Sequence, residues 1–307
     1  MHEGDVDAAD RVMRLAFGTI RRLPDPSTTF GDRQMVRTRF RAEPACAWIA
    51  EIEEELVGSV FVARWGSLAV LGPLSVHPDL WDRGIGSELL RPGLEQFERW
   101  GVRQAGLFTF ADSPKHLGLY QNNGFWPGSL TVVAMKETTP VTPHRPYTLA
   151  SHDSEPERDS LLEETRRLTD QVFAGLDVGS EIAAVSEQRL GDTILLRGDT
   201  GLDGIAICHL GAGTEAGGNT CYVKFAAVRP GDGAPERFEE LLEACGSFAA
   251  ESGLGRLVVG IDTGRRDAYR RLLARGFRVE QVGVSMWLRP DGDRLDTADR
   301  YVIDDRR

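Results

Sequence analysis

The sequence predicts an α/β protein: a mixed sheet with helices on its faces, laid down twice in one chain. Three observations carry that expectation. Helical apolar periodicity alternates with short strand-like runs in the order α-α-β-β-β-α-β-α-β over residues 5–136. The pattern begins again after 137–146, a stretch rich in Pro and Thr that lacks periodicity. Landmarks also recur 152 positions apart: Val76-x-Pro78 as Val228-x-Pro230, Leu89-Leu90 as Leu241-Leu242, Gly101 as Gly253, and Gly124-Phe125 as Gly276-Phe277. The expected organisation is one domain over 1–138, a linker at 139–146 and a second domain over 147–307.

Each element has a local reason. Val6, Ala9, Met13, Ala16 and Phe17 recur at helical spacing and predict a helix over 5–19. A loop with Pro24 and Pro26 follows, then a helix over 31–42 with Met35, Val36 and Phe40 inward and Arg33, Arg37, Arg39 and Arg41 toward solvent. Strands are expected at 45–52 and 56–64, turned by Glu53-Glu54-Glu55, and at 68–76. A helix over 84–100 ends at Gly101, a strand covers 103–109, and a helix from Ser113 to Asn123 stops at Gly124. A pair of strands is expected around 125–136. The second half predicts strands at 147–149, 192–197, 203–209, 220–228 and 256–262, and further strands near 277–289. Its helices fall at 154–174, 179–189, 235–252 and 265–275, and a polar, acidic tail covers 290–307.

Composition excludes several function classes. The net charge is −11, of which −3 falls in residues 1–140 and −8 in the rest, which opposes binding to nucleic acid phosphates. It suits a cationic substrate such as an amine. No apolar run reaches the roughly 18 to 20 residues of a membrane span. The acidic start is unlike a signal peptide. The four cysteines, 46, 208, 221 and 245, form no C-x-x-C pair and suit a reduced cytoplasmic protein without a metal.

The stretch from Leu74 to Leu90 holds the chemistry. A buried strand runs into a glycine-containing turn and an amphipathic helix with Ile85, Leu89, Leu90, Leu94 and Phe97 on one face. Gly84 and Gly86 let the backbone approach a ligand, and the unpaired N–H groups of the first turn favour an anion. Alone, such a turn is weak evidence, since glycine often only tightens a helix start.

The order of elements, the V-x-P ahead of G-x-G, and the later S/N-x6-Y-x3-G-F together resemble the GNAT superfamily of acyl-CoA N-acyltransferases, here as two tandem GNAT-like domains. The resemblance is strong over 56–127 and weak over 192–289. It departs from the family at Trp81, where a Gln or Arg is usual. It implies that the strand backbone at Leu74, Ser75 and Val76 binds the pantetheine arm. It implies further that the amides of Asp82, Arg83, Gly84, Ile85, Gly86 and Ser87 cradle the pyrophosphate, and that Ser113 contacts the cofactor. Tyr120 falls on the general-acid position, where a phenol protonates the departing thiolate; read from its helix alone, it is a buried aromatic with a hydrogen-bonded hydroxyl.

No carboxylate lies on the strands where the family often places a base, so none is assigned; Asp112 and His116 are the nearby options, and His77 belongs to an outward turn. In the second half Ala234-Pro235-Glu236 replaces the amide-rich turn and Leu272 stands in place of Tyr120, which implies a degenerate copy that can complete the acceptor pocket. Loop 21–31 is a candidate lid. Tyr301-Val302-Ile303 is a candidate to fill the sheet edge ahead of the first helix, where the family has an opening strand. The implied activity is transfer of an acetyl group from acetyl-CoA, as co-substrate, to a small-molecule or peptide amine in a ternary complex. The alternative is a non-catalytic CoA-binding or interaction protein with a GNAT fold. The assembly expected is a monomeric pseudo-dimer or a homodimer.

Overall fold

The computed structural model describes residues 1–140, 142–288 and 294–306, with backbone alone at 155–158. Position 141 of the expected linker, position 289 of the last expected strands, and 290–293 and 307 of the expected tail lie outside the described residues. The first half runs α1 (Val6–Ile20), α2 (Met35–Ala42), β1 (Ala47–Ile52), β2 (Glu55–Trp65), β3 (Leu68–Val76), α3 (Ile85–Trp100), β4 (Gln104–Thr109), α4 (Pro114–Asn122) and β5 (Phe125–Glu137). The second half begins with β6 (Thr148–Leu149), α5 (Glu155–Val172), α6 (Gly179–Gln188), β7 (Gly191–Gly198), β8 (Gly201–Leu210) and β9 (Thr220–Val228). It continues through α7 (Ala234–Glu251), β10 (Arg256–Asp262), α8 (Arg266–Ala274), β11 (Arg278–Leu288) and the short β12 (Val302–Ile303).

Among the described residues all twelve strands join one sheet, ordered β1-β2-β3-β4-β11-β5-β10-β9-β8-β7-β6, with β12 on β9. The strand pairs expected at 125–136 and 277–289 are each one long strand, and each crosses over. β11 lies antiparallel to β4 of the first half, and β5 lies antiparallel to β10 of the second. The two crossing strands also pair with each other, with register shifts at Val279/Gln281 and Val284/Met286. Pro127 and Gly128 lie at the second shift, where Leu130 and Pro127 face Val284 and Met286.

Alternation along β3 sets the layers. Ala69 and Leu71 face a core with Leu89, Leu90 and Phe97 of α3, while Leu68 and Val70 face the core under α5 and α6. α1 and α2 close a smaller cluster over Ala47 and Phe61. No helix among the described residues is long and apolar enough to cross a membrane.

Each half contains a pair of parallel strands that part. β3 and β4 pair only at Leu68–Val70 against Gln104–Gly106, and β9 and β10 only at Thr220–Val223 against Arg256–Val259. The first gap is open. In the second, β12 pairs antiparallel with Ala226 and Ala227, which stand 152 positions after Leu74 and Ser75. The tail segment expected at the edge beside α1 is therefore inside the second half. Asp304, Asp305 and Arg306, polar residues of the expected tail, are 0%, 1% and 2% exposed. Arg265, itself fully buried, anchors them by donating to Leu295 O at 3.3 Å and Val302 O at 3.0 Å and by pairing with Asp304. Gly260 has no side chain to obstruct this path; a Cβ there would lie 2.1 Å from Cβ of Asp305.

Candidate active site

Beyond the parting of β3 and β4 lies a groove of about 460 Å³, lined by Leu74, Ser75 and Val76 on one side, by Ser113, Lys115 and His116 on the other, and by Asp82, Gly84, Ile85, Gly86 and Ser87 of the turn at its end; Arg83 is outside its lining. The backbone of β3 decides which groups face it. His77 N–H donates to Val57 O at 2.8 Å, so in an antiparallel ladder the next residue turned to β2 is Ser75. Ser75 is buried, its hydroxyl 3.3 Å from that of Ser59. Leu74 and Val76 turn their N–H and C=O groups to the groove. Trp81, the departure from the family pattern, donates its indole N–H to Val76 O at 2.8 Å, so it fastens the groove wall and satisfies one of those carbonyls.

At the groove's end Gly84 is the N-cap of α3 at φ +80°, a left-handed conformation natural to glycine. Among the described residues the amides of Asp82 to Gly86 donate to no backbone carbonyl, as first-turn amides do not. The Ser87 amide is different: it closes on Gly84 O at 3.0 Å, and only its side chain joins the lining. Asp82, an anion at an anion-favouring helix start, is paired with Lys115 at 2.9 Å, and the Lys115 ammonium also lies 4.6 Å over the Trp81 ring. Sequence reasoning missed Lys115, which brings a cation from α4 across to this turn. Its neighbour Ser113, expected at the cofactor, does line the groove as the N-cap of α4.

A second cavity of about 80 Å³ opens beside the groove, and Phe17, Leu74 and His116 line both. Tyr120 lines this inner cavity, buried edge-on to Phe125 with ring centroids 6.1 Å apart. Its hydroxyl makes no hydrogen bond to any described residue, and burial raises its pKa far above the ordinary phenol value. His116 lies where cavity meets groove, its Nδ1 2.6 Å from Ser113 Oγ. Burial, then Lys115, lowers its pKa from 6.5 against the pull of Asp112. Asp112 is exposed and lines neither space, and His77 only caps the short turn after it. Loop 21–31 is pinned from below: Arg14 donates to Thr29 O and Gly31 O at 2.7 Å and to Arg33 O at 2.6 Å.

The second half supplies the far wall with Glu215, Tyr222, Gln281 and Arg306. Glu215 is buried between Arg39, at 3.0 and 2.9 Å, and Lys224, at 2.7 Å to both oxygens. Burial pushes its carboxyl up, but Arg39 and Lys224 outweigh that and hold it well below the usual range. The expectation that Arg39 faces solvent is therefore overturned, because its partner lies 176 residues away in sequence; Arg37 and Arg41 do sit outside, on Glu3 and Asp7.

Behind this triad, burial lowers His209 to about 4, and its Nδ1 has no hydrogen-bond partner among the described residues. The unfolded chain then binds a proton that the folded one refuses between pH 6.5 and about 4, so stability is lost as pH falls through that window. The expected loss is about 3 kcal/mol. Urea titrations at pH 6.5 and 4 should give a smaller acid loss for His209→Asn by that amount; equal losses would remove His209 from the account.

In the second half the corresponding turn is closed. Arg237 donates to Arg229 O at 3.2 and 2.8 Å and to Asp232 O at 3.0 Å, covering Gly233, and Leu272 is packed in the core. Among the described residues no cluster of His, Cys, Asp or Glu is arranged to hold a metal.

Residues 17–125 match the model of the acetyltransferase (GNAT) family. No curated protein matches the chain. Among solved structures, a candidate acetyltransferase from Pyrococcus horikoshii is 17% identical with a TM-score of 0.68, over 98% of this chain and 91% of that one. A GCN5-related N-acetyltransferase from Sphaerobacter thermophilus is 18% identical with a TM-score of 0.62, over 97% and 96%. One from Kribbella flavida is 16% identical with a TM-score of 0.52, over 94% and 69%. Residues 17–125 are thus a GNAT acetyltransferase domain, and the chain as a whole has the fold of the GNAT acetyltransferases.

Proposed function

We propose that the protein transfers an acetyl group from acetyl-CoA to an amine, with the cofactor in residues 1–138 and the acceptor between them and residues 147–307, the two joined by 139–146. One observation carries this reading: the groove that runs from the free amides at Gly84 to the open edge of β3 leads into a cavity walled by the Tyr120 hydroxyl. Pyrophosphate at the helix start and pantetheine along Leu74 and Val76 would bring the thioester to that junction. Polarised by the Val76 N–H, the carbonyl carbon is attacked by the amine; the C–N bond forms, the C–S bond breaks, and the electron pair leaves on sulfur. Of the two protons the ammonium loses, one ends on the thiolate through Tyr120. The other leaves through His116, whose neutral ring can accept at Nε2 while Nδ1–H donates to Ser113 Oγ.

The test is calorimetric binding of acetyl-CoA together with thiol release over an amine panel. Gly84→Ala places a side chain at φ +80°, which costs about 1–2 kcal/mol and should weaken acetyl-CoA about tenfold or more. Binding without turnover on any amine would leave a CoA-binding protein instead. No binding at all would remove both readings.

A further inference from the structure

Four phenylalanine rings line the inner cavity: Phe17 of α1, Phe30 of the loop before α2, and Phe108 and Phe110 at the end of β4. Each is only half-buried. Three of them form an unbroken run. Phe30 lies 5.3 Å from Phe17, Phe17 lies 5.9 Å from Phe110, and Phe110 lies 5.9 Å from the His116 ring, tilted at 58°, 60° and 58°. The run therefore ends at His116, where cavity meets groove. Apolar faces turned to water-accessible space forgo stabilisation that a packed core would supply, and a ring laid on them would recover it.

The charged side chains on the same wall are already engaged. Arg21 Nη2 donates to Gln281 Oε1 at 2.8 Å, and Arg33 Nε to Ala216 O at 3.1 Å. Arg306 is paired with Asp262 at 2.8 Å and with Asp304 at 3.3 Å. Glu215 is shared by Arg39 and Lys224. A guest carrying a carboxylate or a second ammonium would bury that charge without a counter-ion.

Phe30 has φ +70°, a left-handed conformation that a bulky side chain rarely adopts. The backbone there is held on both sides by the Arg14 hydrogen bonds to Thr29 O, Gly31 O and Arg33 O. Gly18 lets the loop lie directly on α1, since a Cβ there would be 2.2 Å from Pro26 O. Glycine would suit the backbone at position 30 better, so the strained residue points to a use for its ring.

We propose that the acceptor is an arylalkyl monoamine without a carboxylate, its ring packed on Phe30, Phe17 and Phe110 and its amine at His116. The proposal rests on the acetyl-transfer reading for the fate of the amine; the ring site stands without it.

Calorimetry on the full chain saturated with CoA compares phenylethylamine with ethylamine, spermidine and phenylalanine. Phenylethylamine should bind about tenfold or more tighter than each. Ethylamine lacks the ring, and the other two bring a charge with no counter-ion. Phe30→Gly and Phe30→Ala should each cut the preference over ethylamine about fivefold, and Phe30→Tyr should keep it. In urea, Phe30→Gly should be more stable than Phe30→Ala, because glycine relieves the left-handed backbone. A ring that served only loop packing would move stability and leave the preference intact. The four-probe comparison needs no variant, so it stands even if a Phe30 variant fails to fold. Ethylamine or spermidine bound as tightly as phenylethylamine, phenylalanine bound more tightly, or a preference that survives both truncations would overturn the proposal. Tight phenylethylamine binding without thiol release would keep the ring site and remove the acetyl-transfer reading. Thiol release with equal kcat/KM on ethylamine would do the reverse.

Discussion

Replacing Tyr120 by Phe should lower kcat by about a hundredfold or more while acetyl-CoA binds as before, the scale expected for loss of a positioned proton donor. The substitution removes one oxygen and leaves the ring edge-on to Phe125. The hydroxyl has no other described partner, so little stability should be lost with it. A phenol raised this far by burial is a reluctant acid. It serves best as a neutral hydrogen-bond donor that tightens on sulfur as charge develops there, and completes the transfer when C–S is broken. Its ionisation should therefore put no alkaline limb on the rate below about pH 10. The acid limb should come from His116 and lie below its ordinary 6.5, because burial and Lys115 disfavour the imidazolium; it should vanish in His116→Gln. Thiol release measured from pH 5 to 10 on the three proteins tests all of this. A Tyr120→Phe protein as fast as the parent would sink the assignment.

Glu215→Ala should destabilise the fold by about 3–5 kcal/mol, because it strands two buried cations. Arg39 belongs to α2 and Lys224 to β9, so the loss falls on the contact between the halves. The triple change Arg39→Met, Glu215→Leu, Lys224→Met should recover most of it, since it removes the charges together. With its folded pKa below the unfolded one, Glu215 contributes stability above the ordinary carboxylate range. That contribution is lost only as pH falls through the folded value. Urea midpoints at pH 7 decide the matter, and a loss for Glu215→Ala below about 1 kcal/mol would show the triad to be nearly neutral.

Local pattern carried most elements to within a few residues. α3 was legible from Leu89, Leu90, Phe97 and its stop at Gly101, which indeed sits at φ +61°. What local pattern does not contain is partnership. The crossing of β5 and β11 depends on strands about 150 residues apart, so each long strand reads as a local pair while its partner is unknown. Arg39, Asp304, Asp305 and Arg306 read as solvated because charge suggests water until its partner is found; Glu215, Arg265, Tyr222 and Asp262 are those partners. In the site, the glycine turn and Tyr120 were visible because their signal is short-range. The far wall from Glu215, Tyr222, Gln281 and Arg306 was not, since those residues come from the other half of the sequence.

β12 gives the second half a history that its altered turn only hints at. Where one copy leaves a strand edge open to a diffusing molecule, the other binds a piece of its own backbone along the corresponding residues. A tethered ligand is never diluted: its effective concentration is on the order of millimolar, however much protein is in solution. With the berth permanently filled, a turn able to hold phosphates has no task there, and Pro235 and Glu236 carry no penalty. The two halves thus differ at corresponding strands: one edge is left open, and the other keeps a segment of its own chain.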